Sequence, residues 1–309
     1  TRRSSDLTVA VLLNGTQSIM GTAIRVLAAG MLAGVMMESG AAESIANAIV
    51  QKLGEKKAIL SLALSTMVIT AVGVFIPVAV LIVAPIALSV GKSTGISKLS
   101  LLIALSGGGK AGNIISPNPN TIAAANGFNL PLSDVMIAGF IQAVFGLITA
   151  VVLANIMRSK GSMVKETDLV EEQTKELLPL KKALIAPVLA IVLLLLNPIG
   201  AVLNISFIKS LNIDALYILP FASVVGTIAI GQTKQLAFYA SSGLKRVTDT
   251  VLILIGAGAI AGLISVSDLS TQIVHLISVM GISGTFLAPI SGILMGLAVG
   301  STSTAVILA

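Results

Sequence analysis

The sequence contains no cysteine, no tryptophan and a single histidine, and only 10% of its 309 residues are charged. Without cysteine there is no disulfide framework, thiol catalysis or cysteine-based metal site. One histidine, His275, cannot form a zinc site with the usual ligand spacings. Soluble domains carry about 25% charged residues, so this chain lacks the polar surface that water demands. We therefore expect an integral membrane protein that holds no metal and no cofactor.

Hydrophobic residues make up 55% of the chain, and the mean hydropathy is +1.03. They occur in apolar runs of about 18 to 25 residues, the length that spans a bilayer as a helix. A closed barrel needs alternating strands instead, and residues 183–196 do not alternate. The sequence predicts an all-α, polytopic bundle with apolar runs at 21–37, 58–74, 78–90, 99–105, 133–157, 183–203, 214–231, 249–266 and from 285. Three amphipathic segments, 41–53, 232–248 and 269–280, lie between these runs.

Lysine and arginine outnumber aspartate and glutamate by 19 to 13, giving a net charge of +6. The basic residues lie between the apolar runs, which favours the positive-inside bias over nucleic-acid binding. Residues 158–182 form the most hydrophilic stretch, and two spans separate them from Lys234, Lys245 and Arg246. Both basic regions therefore share one side, which the bias predicts to be the cytoplasm. We expect a multi-pass protein of the bacterial inner (cytoplasmic) membrane.

An internal repeat is visible in three blocks. Residues 29–34 resemble residues 257–262, an amphipathic segment follows each block, and residues 77–81 align with residues 303–307. Lys52, Lys56 and Lys57 flank the first amphipathic segment, whereas residues 278–285, after the second, carry no charge. Opposite sides of a membrane produce this asymmetry, so the repeats are predicted to be inverted.

The repeat divides the chain into residues 1–157 as the first copy, 158–182 as a cytoplasmic linker and 183–309 as an incomplete second copy. The aligned part of the second copy stops well before the equivalent of residue 157. We expect the natural protein to be longer at both ends, with the second copy of the broken segment described next beyond residue 309.

The most unusual stretch is residues 106–126, where three consecutive glycines and two prolines interrupt an apolar neighbourhood. The preceding helix is expected to stop at residues 106–110. Pro117 and Pro119 remove backbone donors and restrain their neighbours, so no regular helix can pass residues 117–119. Irregular backbone in hydrocarbon is tolerated where it lines a cavity or is buried in protein. A helix beginning after this break would present N–H groups that favour an anion.

The candidate substrate-binding residues of this stretch are Gly109, Lys110, Asn113, Ser116, Asn118, Asn120 and Thr121. Lys110 is also a candidate for proton coupling, because an ionisable residue within a membrane is a functional hypothesis by default. The alternatives are that Lys110 extends to the membrane surface and that single polar residues cap a helix. A second candidate set is the run of hydroxyls Ser301, Thr302, Ser303 and Thr304, which would form a re-entrant tip.

Glu38, at the end of the first span, is a further candidate for proton coupling, with solvent exposure as the alternative. Arg25 falls inside the first predicted span, where interfacial placement competes with a function. No ATP-binding motif is present, and no nucleophile–base set can be assembled around one histidine. We therefore predict a protein that is not an enzyme and has no catalytic residues.

These residues resemble the gluconate:proton symporter (GntP-type) permeases, within the larger ion-transporter superfamily. The resemblance covers Glu38-Ser39-Gly40, the amphipathic segment after them, residues 75–90 and residues 107–123. It implies two inverted repeats, each with a re-entrant hairpin and a discontinuous helix that meet at the substrate site. By this likeness residues 75–77 lie near the first hairpin tip, residues 109–121 at the first helix break, and Ser301–Thr304 at the second tip.

The sequence departs from the family pattern at one position. Gluconate permeases typically show a proline–histidine–proline element at the helix break, where this chain has Asn118 between Pro117 and Pro119. Histidine titrates near neutral pH and asparagine does not, so the exact sugar acid and the proton route stay open.

The predicted function is proton-coupled symport of gluconate or a related small carboxylate. The alternatives are sodium-coupled or exchange transport of another carboxylate, such as a citrate or a dicarboxylate, and a non-transporting membrane scaffold. The predicted partners are the organic anion, a proton or a sodium ion, and the lipid bilayer, with a homodimer as a compatible assembly and no nucleic acid.

Overall fold

The computed structural model describes residues 2–169, 177–211, 213–268 and 286–299, with residues 272, 275 and 279 as isolated positions. The described part of the chain is helical throughout, apart from short turns and one isolated β-bridge. Its helices are α1 Arg2–Glu38, α2 Ala41–Leu53, α3 Ala58–Ala71, α4 Ile76–Thr94, α5 Lys98–Ile114, α6 Pro119–Gly127, α7 Leu132–Ala138, α8 Phe140–Ile156, α9 Leu180–Ala183, α10 Ile185–Leu194, α11 Leu196–Val202, α12 Ser206–Ser210, α13 Ala215–Ala229, α14 Leu236–Ser265 and α15 Leu287–Val299.

Among the described helices, three are long and apolar enough to cross a bilayer, and a fourth span is possible if α7 and α8 act together. The three candidate spans are Asp6–Glu38, Ile76–Thr94 and Thr233–Ser265. The first and the last contain most of α1 and all of α14, the two longest described helices. The all-α architecture with several apolar helices predicted from the sequence is therefore confirmed.

Helices α1 and α14 pack against each other along most of their length, and glycines make this possible. A methyl group on Gly34 would overlap the Tyr239 carbonyl oxygen, and one on Gly243 would overlap the Gly30 carbonyl oxygen. Further along, a methyl group on Gly262 would lie 2.8 Å from the Gly15 Cα. The two backbones approach closely because no side chain separates them, as in small-residue membrane interfaces.

The amphipathic segment 41–53 is helix α2 with the predicted bounds, and α3 and α4 then form a helical hairpin. Residues 72–75 are its tip, where Gly73 adopts a φ of 100° that favours glycine. Pro77 lies in the first turn of α4, where its missing N–H leaves no bond unmade. Pro85 lies inside the same helix. The interruption predicted at residues 75–77 therefore lies slightly earlier, at residues 72–75, and residues 76–94 form the second helix of the hairpin.

The prediction that a helix stops at residues 106–110 is wrong, because α5 continues through them to Ile114. The glycines are packing positions rather than a break. A methyl group on Gly108 would overlap the Ala63 carbonyl oxygen of α3, and one on Gly107 would overlap the Ala150 side chain of α8. Burial between two helices thus outweighs the roughly 1 kcal/mol that each glycine costs in a helix interior.

Other segment boundaries also differ from the sequence-based expectation. The helix that contains the first span begins at Arg2, and the span itself at Asp6 rather than at residue 21. The span predicted at 133–157 is α7 and α8, bent by 43° at Gly139. The span predicted at 183–203 is divided into α10 and α11. Residues 232–248 and 249–266, predicted as separate segments, are mostly one helix, α14, because nothing within it breaks the backbone hydrogen bonding.

The first part of the linker docks on the turn between α4 and α5. Lys98 N donates to the Ser162 carbonyl oxygen at 2.9 Å, and Ser97 N donates to the Arg158 carbonyl oxygen at 2.8 Å. The ion pairs Lys98–Asp168 at 2.6 Å and Lys92–Glu166 at 2.9 Å reinforce these bonds. Residues 158–169 are therefore part of the fold rather than a free connection.

Candidate functional site

The break between α5 and α6 is a compact polar turn at residues 115–118. Asn118 Nδ2 donates to Ser116 Oγ at 2.7 Å and also to the Asn113 carbonyl oxygen. Thr121 Oγ1 donates to the Ser116 carbonyl oxygen, and Ser116 Oγ donates to the Asn113 carbonyl oxygen at 3.1 Å. Four of the predicted site residues, Asn113, Ser116, Asn118 and Thr121, thus form one hydrogen-bonded cluster.

Helix α6 begins directly after this turn, with Asn118 as its N-cap. Asn118 Oδ1 accepts from Asn120 N at 2.7 Å, and Asn118 N donates to Thr121 Oγ1 at 3.3 Å. Pro119 occupies the first helical position, where proline is favoured. The helix start expected near residue 119 is confirmed. Its first backbone donor, however, is bonded by Asn118, which is only 3% exposed.

The tip of the α3–α4 hairpin lies beside the break. A methyl group on Gly73 would lie 3.8 Å from Pro117 Cγ, which is ordinary van der Waals contact. Ile76, at the start of α4, is close enough to Gly109 that a methyl group there would lie 3.0 Å from Ile76 Cγ2. Thr70 Oγ1, near the end of α3, donates to the Gly109 carbonyl oxygen at 2.9 Å. Hairpin tip and helix break therefore form one continuous region.

Two buried side-chain oxygens in the described part of the chain have no hydrogen-bond partner, Asn120 Oδ1 in α6 and Thr22 Oγ1 in α1. The two helices pack against each other, and Thr22 is 0% exposed. An unpaired buried polar group costs about 1–3 kcal/mol, so each such atom requires an explanation, for which a bound water or ligand is one candidate. Thr22 was missed in the sequence, because a threonine in an apolar helix usually bonds its own backbone.

Lys110 lies inside α5, and its side chain is exposed at the surface of the described helices. Asn113, one turn further on, is half-buried. Gly109 is buried against the α3–α4 hairpin. Lys110 therefore lies on the same helix as Asn113, about one turn before it, and its side chain is more exposed than the hydrogen-bonded cluster.

Glu38 ends α1 and connects it to α14. Ser242 Oγ donates to Glu38 Oε1 at 2.5 Å, and the Arg246 guanidinium approaches the same oxygen at 3.4 Å. The Glu38 side chain is 24% exposed. Glu38 lies at a helix–helix junction and is reached by solvent only in part.

Arg25 forms an ion pair that sequence reasoning did not anticipate. Its Nε donates to Asp214 Oδ1 at 2.9 Å, and its NH2 donates to Asp214 Oδ2 at 2.6 Å. The pair joins α1 to the start of α13 and borders a cavity of about 340 Å³, which the α6–α7 connection also lines. A partner 189 residues away leaves no local pattern in the sequence.

The second candidate set, Ser301, Thr302, Ser303 and Thr304, lies outside the described residues. The predicted hairpin tip at these hydroxyls stays a prediction.

Basic residues gather at one end of the helices. Lys56, Lys57 and Arg158 line a cavity of about 200 Å³ between the start of α3 and the end of α8. The docked linker lies at the same end, because it begins at Arg158 and bonds the α4–α5 turn. Two carboxylates of the docked segment have a lowered pKa: the hydrogen bond from Lys98 lowers the pKa of Asp168, and that from Lys92 lowers the pKa of Glu166.

Comparison with known proteins gives the family. The GntP family permease model matches residues 4–309. An uncharacterized transporter of Haemophilus influenzae is 45% identical over 296 residues, which are 96% of this chain and 68% of the relative. An uncharacterized permease of the same organism is 27% identical over 56% of the chain and 36% of its own length. The inner membrane permease YgbN of Escherichia coli is 32% identical over 37% of the chain and 26% of its own length.

The chain thus spans about two thirds of the length of the Haemophilus influenzae transporter and smaller shares of the other two. A family match over nearly the whole chain, a relative at 45% identity and the apolar helices all agree. The chain therefore belongs to the GntP permease family of membrane transport proteins.

Proposed function

We propose that this chain belongs to a secondary transporter that moves a small organic anion, gluconate or a related sugar acid, together with protons. The observation that carries the proposal is the break at residues 115–118, where a buried polar turn and a helix N-terminus adjoin the α3–α4 tip. Transporters of inverted-repeat architecture bind their substrates at interrupted helices near the bilayer midplane.

The proposed site contains Gly109, Lys110, Asn113, Ser116, Asn118, Asn120 and Thr121, with Ser301, Thr302, Ser303 and Thr304 from the second hairpin. Lys110 supplies positive charge for the carboxylate. The unpaired Asn120 Oδ1 accepts a hydrogen bond from a substrate hydroxyl, which satisfies an atom that has no protein partner among the described residues. Asn118 holds the turn, and its amide exchanges one internal bond for a substrate bond.

We propose further that the two halves are inverted repeats. The packing of α1 on α14 supports this, because Gly30 and Gly15 have repeat partners at the same distance in sequence (258 − 30 = 243 − 15 = 228). Gly30 approaches Gly243, and Gly258 approaches Gly15. The neighbours follow the same rule, since Gly30 meets Val247 and Gly258 meets Ile19 (247 − 19 = 228). Contacts that map onto one another under a single offset are what a two-fold axis between repeats produces.

The basic end of the helices supports a cytoplasmic location for residues 158–182. Lys57 and Arg158 line one cavity, and the linker is docked beside them. The positive-inside bias then assigns this end to the cytoplasm of a bacterial inner membrane. The connection between α6 and α7 lies at the other end of the α7–α8 pair and faces outward.

Protons are the proposed coupling ion, and Lys110 and Glu38 are the proposed coupling residues. Glu38 supports this role through its position, since protonation would weaken its bonds to Ser242 and Arg246 and so loosen α1 from α14. Proton coupling is distinguished from sodium coupling and from exchange by whether uptake follows a pH gradient, a sodium gradient or neither.

Counterflow of labelled gluconate into proteoliposomes that contain the full-length protein tests the site. We expect Lys110→Ala, Asn118→Ala and Thr22→Val to reduce counterflow. Thr22→Val should leave thermal stability unchanged or raise it, because it removes an unpaired hydroxyl. Lys56→Gln, at the basic end, serves as the control with normal counterflow. Unchanged counterflow in Lys110→Ala and Asn118→Ala would contradict the site assignment.

A further inference from the structure

The Arg25–Asp214 pair is a two-pronged contact between a guanidinium and a carboxylate in a partly open setting. Arg25 Nε and NH2 each donate to the carboxylate, at 2.9 Å and 2.6 Å, and both side chains are 34% exposed. An arginine presents a planar fork that matches any carboxylate, including that of a ligand. Because both side chains are partly exposed, a second carboxylate can reach the guanidinium and compete for it.

The cavity beside the pair has the size and lining of a small-ligand site. Its volume of about 340 Å³ falls within the range of roughly 300–1,000 Å³ that ligand pockets occupy. Asn126, Asn129 and Ser133 line it, together with several leucine residues. A cavity lined by an arginine, two asparagines and a serine has the residue types to bind a carboxylate that carries hydroxyl groups.

Asp214 has a second anchor, so it does not depend on Arg25. Its Oδ1 accepts from Leu216 N at 2.8 Å and caps α13, where the helix dipole favours negative charge. Helices α1 and α13 also pack directly against each other. When Arg25 is released, Asp214 therefore keeps its bond to Leu216 N and the two helices stay in contact. A ligand carboxylate can then replace that of Asp214 on Arg25 without disturbing the fold.

The cavity is connected to the helix break by α6. Ile122 and Ala125 of this helix line the cavity, and Asn118 at the helix start belongs to the break. Ile122 lies four residues after Asn118, about 6 Å along the helix axis, and the cavity extends from there to the connection between α6 and α7. Leu130 and Leu132 at the cavity lie at the end of the α7–α8 pair away from Arg158, so with Arg158 in the cytoplasm the cavity opens outward.

We propose that this cavity is an outer vestibule site, in which Arg25 binds the carboxylate of a polyhydroxy acid in exchange for the carboxylate of Asp214. The proposal rests on the proposed function for its ligand class, but the site is separate from the helix break. Asp214 acts as an internal stand-in for the ligand carboxylate and keeps Arg25 paired when no ligand is bound.

The test uses Leu130→Cys, because Leu130 lines the cavity, is 50% exposed and lies in a chain without cysteine. The full-length protein, with any cysteine elsewhere replaced by serine, is reconstituted, and the rate of N-ethylmaleimide labelling is measured against gluconate concentration. Sorbitol, a polyol without a carboxylate, is the negative control for gluconate. Three backgrounds are compared: wild type, Asp214→Asn, and Arg25→Gln with Asp214→Asn. Asparagine retains the N-cap of α13, and Lys92→Gln, at the docked linker, is the charge control.

We expect gluconate to slow labelling and sorbitol to have no effect. In Asp214→Asn the half-protecting concentration falls by about two- to fivefold, because the ligand no longer competes with the Asp214 carboxylate for the guanidinium. In the double variant protection is lost, and in Lys92→Gln it matches wild type. Equal half-protecting concentrations in all backgrounds, protection by sorbitol, or no protection in either wild type or Asp214→Asn would overturn the proposal.

Gluconate counterflow in the same vesicles separates this proposal from the proposed function. The expected protection pattern without counterflow supports the vestibule and contradicts transport of gluconate. Counterflow without any effect of Asp214→Asn on protection supports transport and overturns the vestibule.

Discussion

Asn118 holds the bend between α5 and α6 through both ends of its amide group. Its oxygen caps α6 by accepting from Asn120 N, while its nitrogen donates back to Ser116 and Asn113. A cap contributes about 1 kcal/mol to stability. The residue therefore has a structural role as well as the proposed substrate contact, and a test must separate the two.

Serine and alanine at this position separate them. Asn118→Ser keeps a capping oxygen and loses only the bonds of the amide nitrogen, so we expect it to be more stable than Asn118→Ala, which also loses the cap, by about 1 kcal/mol. Both remove the amide nitrogen and should reduce uptake. Thermal unfolding of the full-length protein in detergent and gluconate uptake are the two measurements. Normal uptake by Asn118→Ser would show that the amide is a cap alone.

At this scale the sequence predicted the helix start well but not the unpaired atoms. Two prolines around an asparagine are a local signal, and they fix where α6 can begin. The unpaired oxygens of Asn120 and Thr22 depend on how α1 packs on α6. The partnership of Arg25 with Asp214 likewise depends on tertiary packing, which no local pattern reveals.

At the scale of helices, glycine acts mainly through close packing. Gly107, Gly108 and Gly109 suggested a break, yet they lie within α5, where they face α8, α3 and the start of α4. A run of glycines is compatible with a broken helix and with a continuous helix that packs closely, and only the neighbouring helices decide between the two. The bend at Gly139 and the division of α10 from α11 were also missed.

The α1–α14 interface gives a matched comparison within one helix. A methyl group on Gly243 would overlap the Gly30 carbonyl oxygen, whereas one on Gly256 has no neighbour within 4 Å. We expect Gly243→Ala to destabilise the protein by about 1–3 kcal/mol and Gly256→Ala to be neutral or to stabilise it by up to about 1 kcal/mol. Gly15→Ala, at the repeat-related position, should resemble Gly243→Ala.

Thermal unfolding of the full-length variants in detergent measures these differences. Equal stability of Gly243→Ala and Gly256→Ala would contradict the close approach of α1 and α14. A harmless Gly15→Ala beside a destabilising Gly243→Ala would contradict the symmetry of the interface.

Docking of the linker should depend on pH. The pKa values of Asp168 and Glu166 are lowered by their lysine partners from ordinary values of 3.8 and 4.5. A lowered folded-state pKa means that the stabilisation is complete above the ordinary value and is lost as pH falls through the lowered one. We therefore expect residues 158–169 to stay docked at neutral pH and to detach in acid.

A spin label at Met163→Cys reports this, since Met163 is 43% exposed in the docked segment. Its motion should increase on acidification, and Lys98→Gln should increase it already at neutral pH. Lys56→Gln, at the same end of the protein, is the control. A spectrum that is unchanged in Lys98→Gln would contradict ionic docking.

At the scale of the whole molecule, the family match and the apolar helices identify a membrane transport protein. Composition and periodicity were sufficient for the all-α prediction, because hydrocarbon permits few other solutions for apolar runs of this length. The inverted arrangement was suggested by three sequence blocks and is supported by the matching contacts of α1 and α14. The second hairpin tip, predicted at Ser301–Thr304, lies outside the described residues and stays a prediction.

The central claim is that a proton gradient drives uptake of a small sugar acid through this protein. The most direct test is uptake of labelled gluconate by proteoliposomes containing the full-length protein, with an inward proton gradient, an inward sodium gradient or no gradient. We predict accumulation with the proton gradient alone, and its reduction in Lys110→Ala. Cooperative unfolding on heating shows that the reconstituted protein is folded. If such protein does not accumulate gluconate under the proton gradient, or accumulates it under the sodium gradient instead, proton-driven uptake is contradicted.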